Sequence, residues 1–281
     1  MKRSPTFPLL AAAQPRAARG ARAASALHSP RAWAVAGALG GALLAALIWA
    51  PASWLASGVQ SASAGKVLLQ EARGTVWNGS ARLVLAEGAG SRDRTALPTR
   101  LQWTLRPGFN GLNMSLHSDC CTSTPMQAKV SPGWNAMTVQ VQDSVIELPA
   151  ELLAGLGTPW NTVALQGQLR LSTQALQLQY RAGRAASQGL TRLEALAVSS
   201  RLSPLKPLGS YRLDIQGGDS PRLNLSTLAG DLQLSGQGQW VDARLHFNGE
   251  ASASPEREAA LSNLLNILGR RQGARSIITF G

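Results

Sequence analysis

The sequence predicts a mainly β protein: a single N-terminal transmembrane helix, then a curled antiparallel β-meander with one or two short helices, one of them C-terminal. Three observations predict it. Residues 32–50 (AWAVAGALGGALLAALIWA) hold no Asp, Glu, Lys or Arg. Beyond them, apolar and polar residues alternate with period two in segment after segment, the pattern of strands with one buried and one solvated face. Short links such as Gly218-Asp219-Ser220-Pro221 join these segments; they suit antiparallel hairpins and leave no room for a parallel crossover.

In chain order, residues 1–31 read as a cytoplasmic tail. It carries Lys2, Arg3, Arg16, Arg19, Arg22 and Arg31 and no acid, an asymmetry that keeps the N-terminus inside. Residues 32–50 then read as the anchor, with Leu43, Leu44, Leu47 and Ile48 in its apolar body and Trp33 and Trp49 at its two ends, where indoles favour headgroups. A cleaved signal peptide competes with this reading, because Ala62-Ser63-Ala64 has small residues in cleavage-site order. The Arg- and Ala-rich start also suits a mitochondrial transit peptide, although the long apolar run behind it does not. Residues 51–65 read as a linker and 66–281 as a periplasmic β-rich domain.

The formal charge of +12 overstates how basic that domain is, since six of the 27 basic residues precede the anchor. No run beyond it resembles a nucleic-acid arm; the densest cluster is Arg270-Arg271 with Arg275.

Strand alternation is clearest from Val163 onward. Apolar residues fall at Val163, Leu165, Leu169 and Leu171, and resume at Leu176, Leu178 and Tyr180 after a turn expected around Ser172-Thr173-Gln174. Tyr211-Leu213-Ile215, Leu223-Leu225, Leu232-Leu234-Gly236-Gly238-Trp240 and Leu245-Phe247 follow the same rule. Gly236 and Gly238 inside a strand suggest sharp curvature. The one-sided apolar face must be covered by curling, folding over or binding something. Leu169, Leu171, Leu178, Leu213, Leu225, Leu234 and Trp240 are its candidate groove or partner surface.

Two helices are expected. One starts at Pro149 and runs to Gly155. The other starts at Ser254-Pro255 with acids in its first turn, carries Leu261, Leu264, Leu265 and Leu268 at helical spacing, and closes at Gly269 before Arg270 and Arg271. Its leucine stripe is expected to plug one end of the sheet, with docking of a partner through Leu264, Leu265 and Leu268 as the alternative.

No constellation for catalysis, cofactor or metal stands out. His28, His117 and His246 are the three histidines, and none has a nucleophile or acid at a telling spacing. Asp214, Asp231 and Asp242 read as strand-end solvation. The two cysteines, Cys120 and Cys121, are adjacent. Their Cα atoms lie only about 3.8 Å apart, below the usual disulfide range, so a strained bond, an intermolecular bridge and two free thiols all stay open. A non-enzyme is expected.

Particular strings then carry a resemblance. Gly74-Thr75-Val76-Trp77-Asn78-Gly79-Ser80-Ala81, Leu101-Gln102-Trp103-Thr104-Leu105-Arg106-Pro107, Leu148 to Leu153 leading into Leu156 to Asn161, Asn263-Leu264-Leu265-Asn266 and Gly269-Arg270-Arg271 occur in that order. In this the chain resembles the protein N family of the bacterial type II secretion system, from about residue 33 to the end. The resemblance implies a single-pass inner-membrane protein with its bulk in the periplasm. Its role would be an accessory, non-catalytic one in the export of folded proteins across the outer membrane, in contact with other secretion subunits of the inner membrane and periplasm. It also implies an AsmA-like curled sheet with an apolar groove. A lipid-binding or lipid-transfer module, with phospholipid in that groove, is the alternative function.

Overall fold

The computed structural model describes residues 30–182, 184–241 and 244–281. Residues 1–29 of the basic tail, including His28, and Asp242 therefore lie outside the described residues. The chain divides into two units, residues 1–45 and 46–281.

Helix α1 is Pro30–Ile48, and its described apolar side chains are exposed. It is 19 residues long, with Pro30 and Arg31 in the first two positions and Trp49 and Ala50 already outside it. The charge-free helical part thus spans about 26 Å, just under a hydrocarbon core of about 30 Å. No helix among the described residues is long and apolar enough to cross a membrane.

Beyond α1, 15 strands among the described residues form one antiparallel sheet. The first half comprises β1 (Val67–Gly74), β2 (Asn78–Ala86), β3 (Arg94–Gly108), β4 (Gly111–His117), β5 (Met126–Gly133), β6 (Ala136–Val141) and β7 (Ser144–Pro149). The second half comprises β8 (Gln166–Arg181), β9 (Arg184–Ser199), β10 (Gly209–Gln216), β11 (Arg222–Gly230), β12 (Leu232–Val241), β13 (Arg244–Ala253), β14 (Arg270–Gln272) and β15 (Arg275–Phe280). Neighbours follow chain order except that β6 and β7 both pair with β8, and β14 lies outside β15. The sheet does not close: β1 and β14 are its edges.

The expected turn at Ser172-Thr173-Gln174 is absent, and β8 runs unbroken through it. A bulge between Gln174 and Gln177, with Ala175 at φ 48°, inserts one extra residue against β9. That insertion moves the residues on the apolar face from odd positions (Leu169, Leu171) to even ones (Leu178, Tyr180). In sequence, the phase change looks like a break. Similar bulges with left-handed residues sit at Glu71 in β1 and Ala197 in β9.

The apolar face carries three local cores, each with its own cover. Helix α2 (Ala52–Ala62) contributes buried Ala52 and half-buried Leu55 to a cluster around Ala81, Trp103 and Leu105. Most of the stretch expected as a linker is therefore a packed helix. Its three serines and Gly58 have weak helix propensity, so packing as well as composition stabilises it. A short 3-10 helix, Ala150–Leu156, sets Leu152 against Leu97 and Cys121; it stands where the sequence predicted a helix after Pro149. A single turn, α3 (Trp160–Val163), follows it.

The largest core lies under α4 (Glu258–Leu268). Leu261, Leu264 and Leu265 are fully buried against Val198, Leu208, Tyr211, Leu232 and Ala251. A separate 3-10 turn, Pro255–Arg257, precedes α4, and Ser254 makes no side-chain cap. Gly269 is extended, and Arg270 and Arg271 belong to β14 rather than to the end of a helix. The C-terminal chain turns back at once to pair with β15, so the sheet ladder replaces the expected helix stop.

Gly236 and Gly238 leave room for a neighbouring ring. A Cβ on Gly236 would stand 2.4 Å from Phe247 Cζ, and one on Gly238 3.1 Å from Phe247 Cδ2. Phe247 lies across the floor that Gly236, Gly238 and Gly249 leave free, a ring covering strand glycines from the neighbouring strand.

Candidate functional site

The expected groove residues divide between core and surface. Leu169, Leu264 and Leu265 are buried in the core. The two α4 leucines thus plug the sheet and are closed to a partner while α4 stays docked. Leu268 and Leu234 pack beside them, half-buried. Leu171, Leu213 and Leu225 are half-buried and fall on one cross-strand row, Ile146–Leu171–Leu193–Leu213–Leu225, from β7 to β11. Trp240 is half-buried on β12, and Leu178 is 43 % exposed on β8.

Among the described residues, clefts lie instead on the polar face. One of about 1010 Å3 is lined by Gln174, Asp214, Gln216, Asn224, Gln237, His246 and Asn248 among others. A second of about 630 Å3 is lined by Arg73, Ser80, Arg100, Gln102 and His117, and a smaller third involves Arg106 and Asn113. Most of the residues lining these clefts are therefore polar, where the sequence pattern led us to expect apolar lining.

Cross-strand ion pairs order this polar face. Glu147, Arg170, Glu194 and Arg212 stand opposite one another on β7, β8, β9 and β10, a row of alternating sign. Arg170 binds Glu147 at 2.9 Å, and Arg212 donates through Nε and Nη2 to one Glu194 oxygen. In the next row Arg192 Nε donates to Asp214 Oδ1 at 2.7 Å, and this hydrogen bond raises the arginine's pKa. Asp214 is thus a mid-strand partner, not strand-end solvation. Asp231 sits in the β11–β12 turn, 3.8 Å from Arg257. The bulge at Glu71 lets its carboxylate meet both Arg82 and Arg100. Sequence reading missed these pairs because the partners are 11 (Glu71 and Arg82) to 29 (Glu71 and Arg100) residues apart, and only the register brings them together.

Cys120 and Cys121 are joined to each other by a disulfide. The loop that carries them is held by buried hydroxyls. Ser118 Oγ and Thr99 Oγ1 are 2.7 Å apart, the Cys120 amide donates to Thr99 Oγ1, and the Glu147 amide donates to the Cys121 carbonyl. His117 is half-buried here, with Nε2 3.2 Å from Asp119 and Nδ1 2.9 Å from Thr122 Oγ1. This order mimics an acid–base relay, but the Thr122 hydroxyl is closed. It accepts from the Ser118 amide at 2.8 Å and lies 3.1 Å from the Ser118 carbonyl. His246 stands exposed in the first cleft. Among the described residues no group of three or more His, Cys, Asp or Glu could hold a metal ion.

These features define a class: an unclosed single-sheet antiparallel protein with a helix-covered apolar face and a charge-ordered polar face. The type II secretion system (T2SS) protein N family matches residues 65–278, and the chain belongs to that family. Neither the comparison with curated proteins nor that with solved structures returns a match. Membership gives the chain an accessory role in type II secretion.

Proposed function

We propose that the protein is a non-catalytic assembly component of the type II secretion system, anchored in the inner membrane by α1 with its sheet in the periplasm. The observation that carries this is the family match across nearly the whole sheet. The continuous apolar surface of α1 supports the anchor. Its slight shortfall in length is of the kind bilayers accommodate by local thinning, with Trp33 and Trp49 at the headgroups. The unclosed edges supply contacts for other secretion subunits, since an unpaired strand is a template for a partner's strand.

A photo-crosslinking residue placed at Gln70 on β1, or at Gln272 on β14, tests the edges in cells that secrete type II substrates. The proposal expects an adduct with another inner-membrane or periplasmic secretion subunit from at least one edge. Adducts from neither edge, with the protein at normal abundance, would contradict it. Protease access in spheroplasts tests the topology: cleavage of the sheet only from the cytoplasmic side would overturn it.

A further inference from the structure

The register gathers an unusual set of side chains at one end of the sheet. Phe109 sits in the β3–β4 turn at 110 % relative exposure, and Trp134 in the β5–β6 turn at 99 %. Leu112 faces Val130, Gly133 faces Ala136, Ala136 faces Arg181, and Arg181 faces Arg184. The β3–β4, β5–β6 and β8–β9 turns are therefore neighbours along one end, spread over about 24 Å at ordinary strand spacing. Tyr180, exposed, joins them from β8.

The charge at this end is as distinctive. Arginines along the strand middles are neutralised by Glu147, Asp214 and Glu194. Arg106, Arg181 and Arg184, beside the tips, make no ion pair among the described residues. Single exposed apolar residues are ordinary. Bare aromatics on adjacent turns, with bare guanidinium groups beside them, form a surface that suits apolar depth capped by negative charge.

The path of the chain supplies the third observation. Residues 47–51 join the sheet at this same end. Trp77 Nε1 donates to the Leu47 carbonyl at 2.7 Å, the Val76 amide donates to Ala50, and Pro51 bridges Thr75 in the β1–β2 turn. Asn78 of β2 faces Thr104, and β3 runs on from there to the Phe109 turn.

We infer that this end of the sheet docks on an anionic phospholipid surface, the leaflet in which α1 is anchored, with Phe109 and Trp134 in the headgroup region and Arg106, Arg181 and Arg184 on lipid phosphates. Aromatic rings favour that depth, and basic residues near an anionic leaflet gain attraction that decays within a Debye length. The inference rests on the anchoring role proposed for α1.

The test uses the full chain in lipid nanodiscs with and without phosphatidylglycerol, with the native disulfide kept oxidised. A nitroxide is placed on Asn110→Cys, beside Phe109, or on Leu43→Cys in α1. Collisions with oxygen report lipid, and collisions with a water-soluble nickel chelate report water. The expected result is a lipid-like signal at residue 43 and, in phosphatidylglycerol discs, protection from nickel at residue 110. Arg181→Ala with Arg184→Ala should weaken docking about 25-fold, about fivefold per charge, and Phe109→Ala with Trp134→Ala should also restore nickel access. A lipid-like residue 43 with a water-exposed residue 110 overturns the docking surface and leaves the anchor standing. Water at both positions overturns both. Protection that does not depend on phosphatidylglycerol overturns the anionic assignment.

Discussion

Leu265→Ala tests whether α4 is structurally part of the sheet. The Leu265 side chain is completely buried, in a cluster with Val198, Leu232 and Ala251. Its carbonyl accepts from buried Ser276 on β15, so the helix is fixed and little collapse around the deletion is available. Removing the side chain then costs the transfer free energy of the lost atoms plus most of a cavity term, about 3–4 kcal/mol. Ile267, two residues on, is 46 % exposed. Ile267→Ala should lie within about 0.5 kcal/mol of the parent, because Ala's better helix propensity offsets the little burial lost. Urea unfolding of the full chain in detergent, followed by near-ultraviolet dichroism, separates the two. With a slope of about 2 kcal/mol per molar urea, Leu265→Ala should lower the midpoint by about 1.5 M or more and Ile267→Ala should leave it in place. Equal midpoints for the two variants would refute the docked helix.

Other outcomes follow from the same geometry. Gly236→Ala should destabilise by about 1–3 kcal/mol through overpacking against Phe247 and the Gly249 backbone, and Phe247→Leu should recover part of that loss in a double-mutant cycle of urea midpoints. Burial pushes the Tyr211 hydroxyl's pKa well above its usual value, and it donates to the Leu232 carbonyl. The folded protein therefore keeps this proton where the unfolded chain loses it, so its contribution is constant below about pH 10 and falls as pH rises beyond. Tyr211→Phe should cost about 1 kcal/mol at neutral pH and should flatten the alkaline limb of a stability–pH series. Deleting residues 52–62 should uncover Leu69 and Trp103. A rise in binding of a hydrophobic dye, with the sheet's far-ultraviolet signal kept, would register the lost cover.

The sequence made the meander from β10 to β13 readable, because the apolar runs Tyr211-Leu213-Ile215, Leu223-Leu225, Leu232 to Trp240 and Leu245-Phe247 each keep one phase, the register shift at Leu228 falling beyond them. The leucine stripe of α4 was readable for the same reason, one period being enough to place Leu261, Leu264 and Leu265 inward. Phase failed at Ala175, where a bulge in a non-glycine residue carries no compositional mark. Helix α2 was hidden by its three serines and Gly58, since much of its stability comes from tertiary contact. The glycines of β12 were visible but ambiguous: room for a neighbouring ring and freedom of the backbone look alike until Phe247 is placed beside them. The polar face was the least legible. A row such as Glu147–Arg170–Glu194–Arg212 is defined by register across four strands, and the basic aromatic end by three turns far apart in the chain. The family's strings were legible because they are local, and they fall where the family matches.

Export in living cells is the most direct test of the account. The gene is deleted in a strain without a paralogue, and secretion of a type II substrate into the medium is measured with no complement, with the full chain, and with a chain whose anchor carries Leu43→Asp and Leu44→Asp. The account predicts that export falls on deletion, returns with the full chain, and stays low with the disrupted anchor. Undiminished export in the deletion strain would contradict the accessory role itself, and full rescue by the disrupted anchor would contradict the membrane-bound form of it.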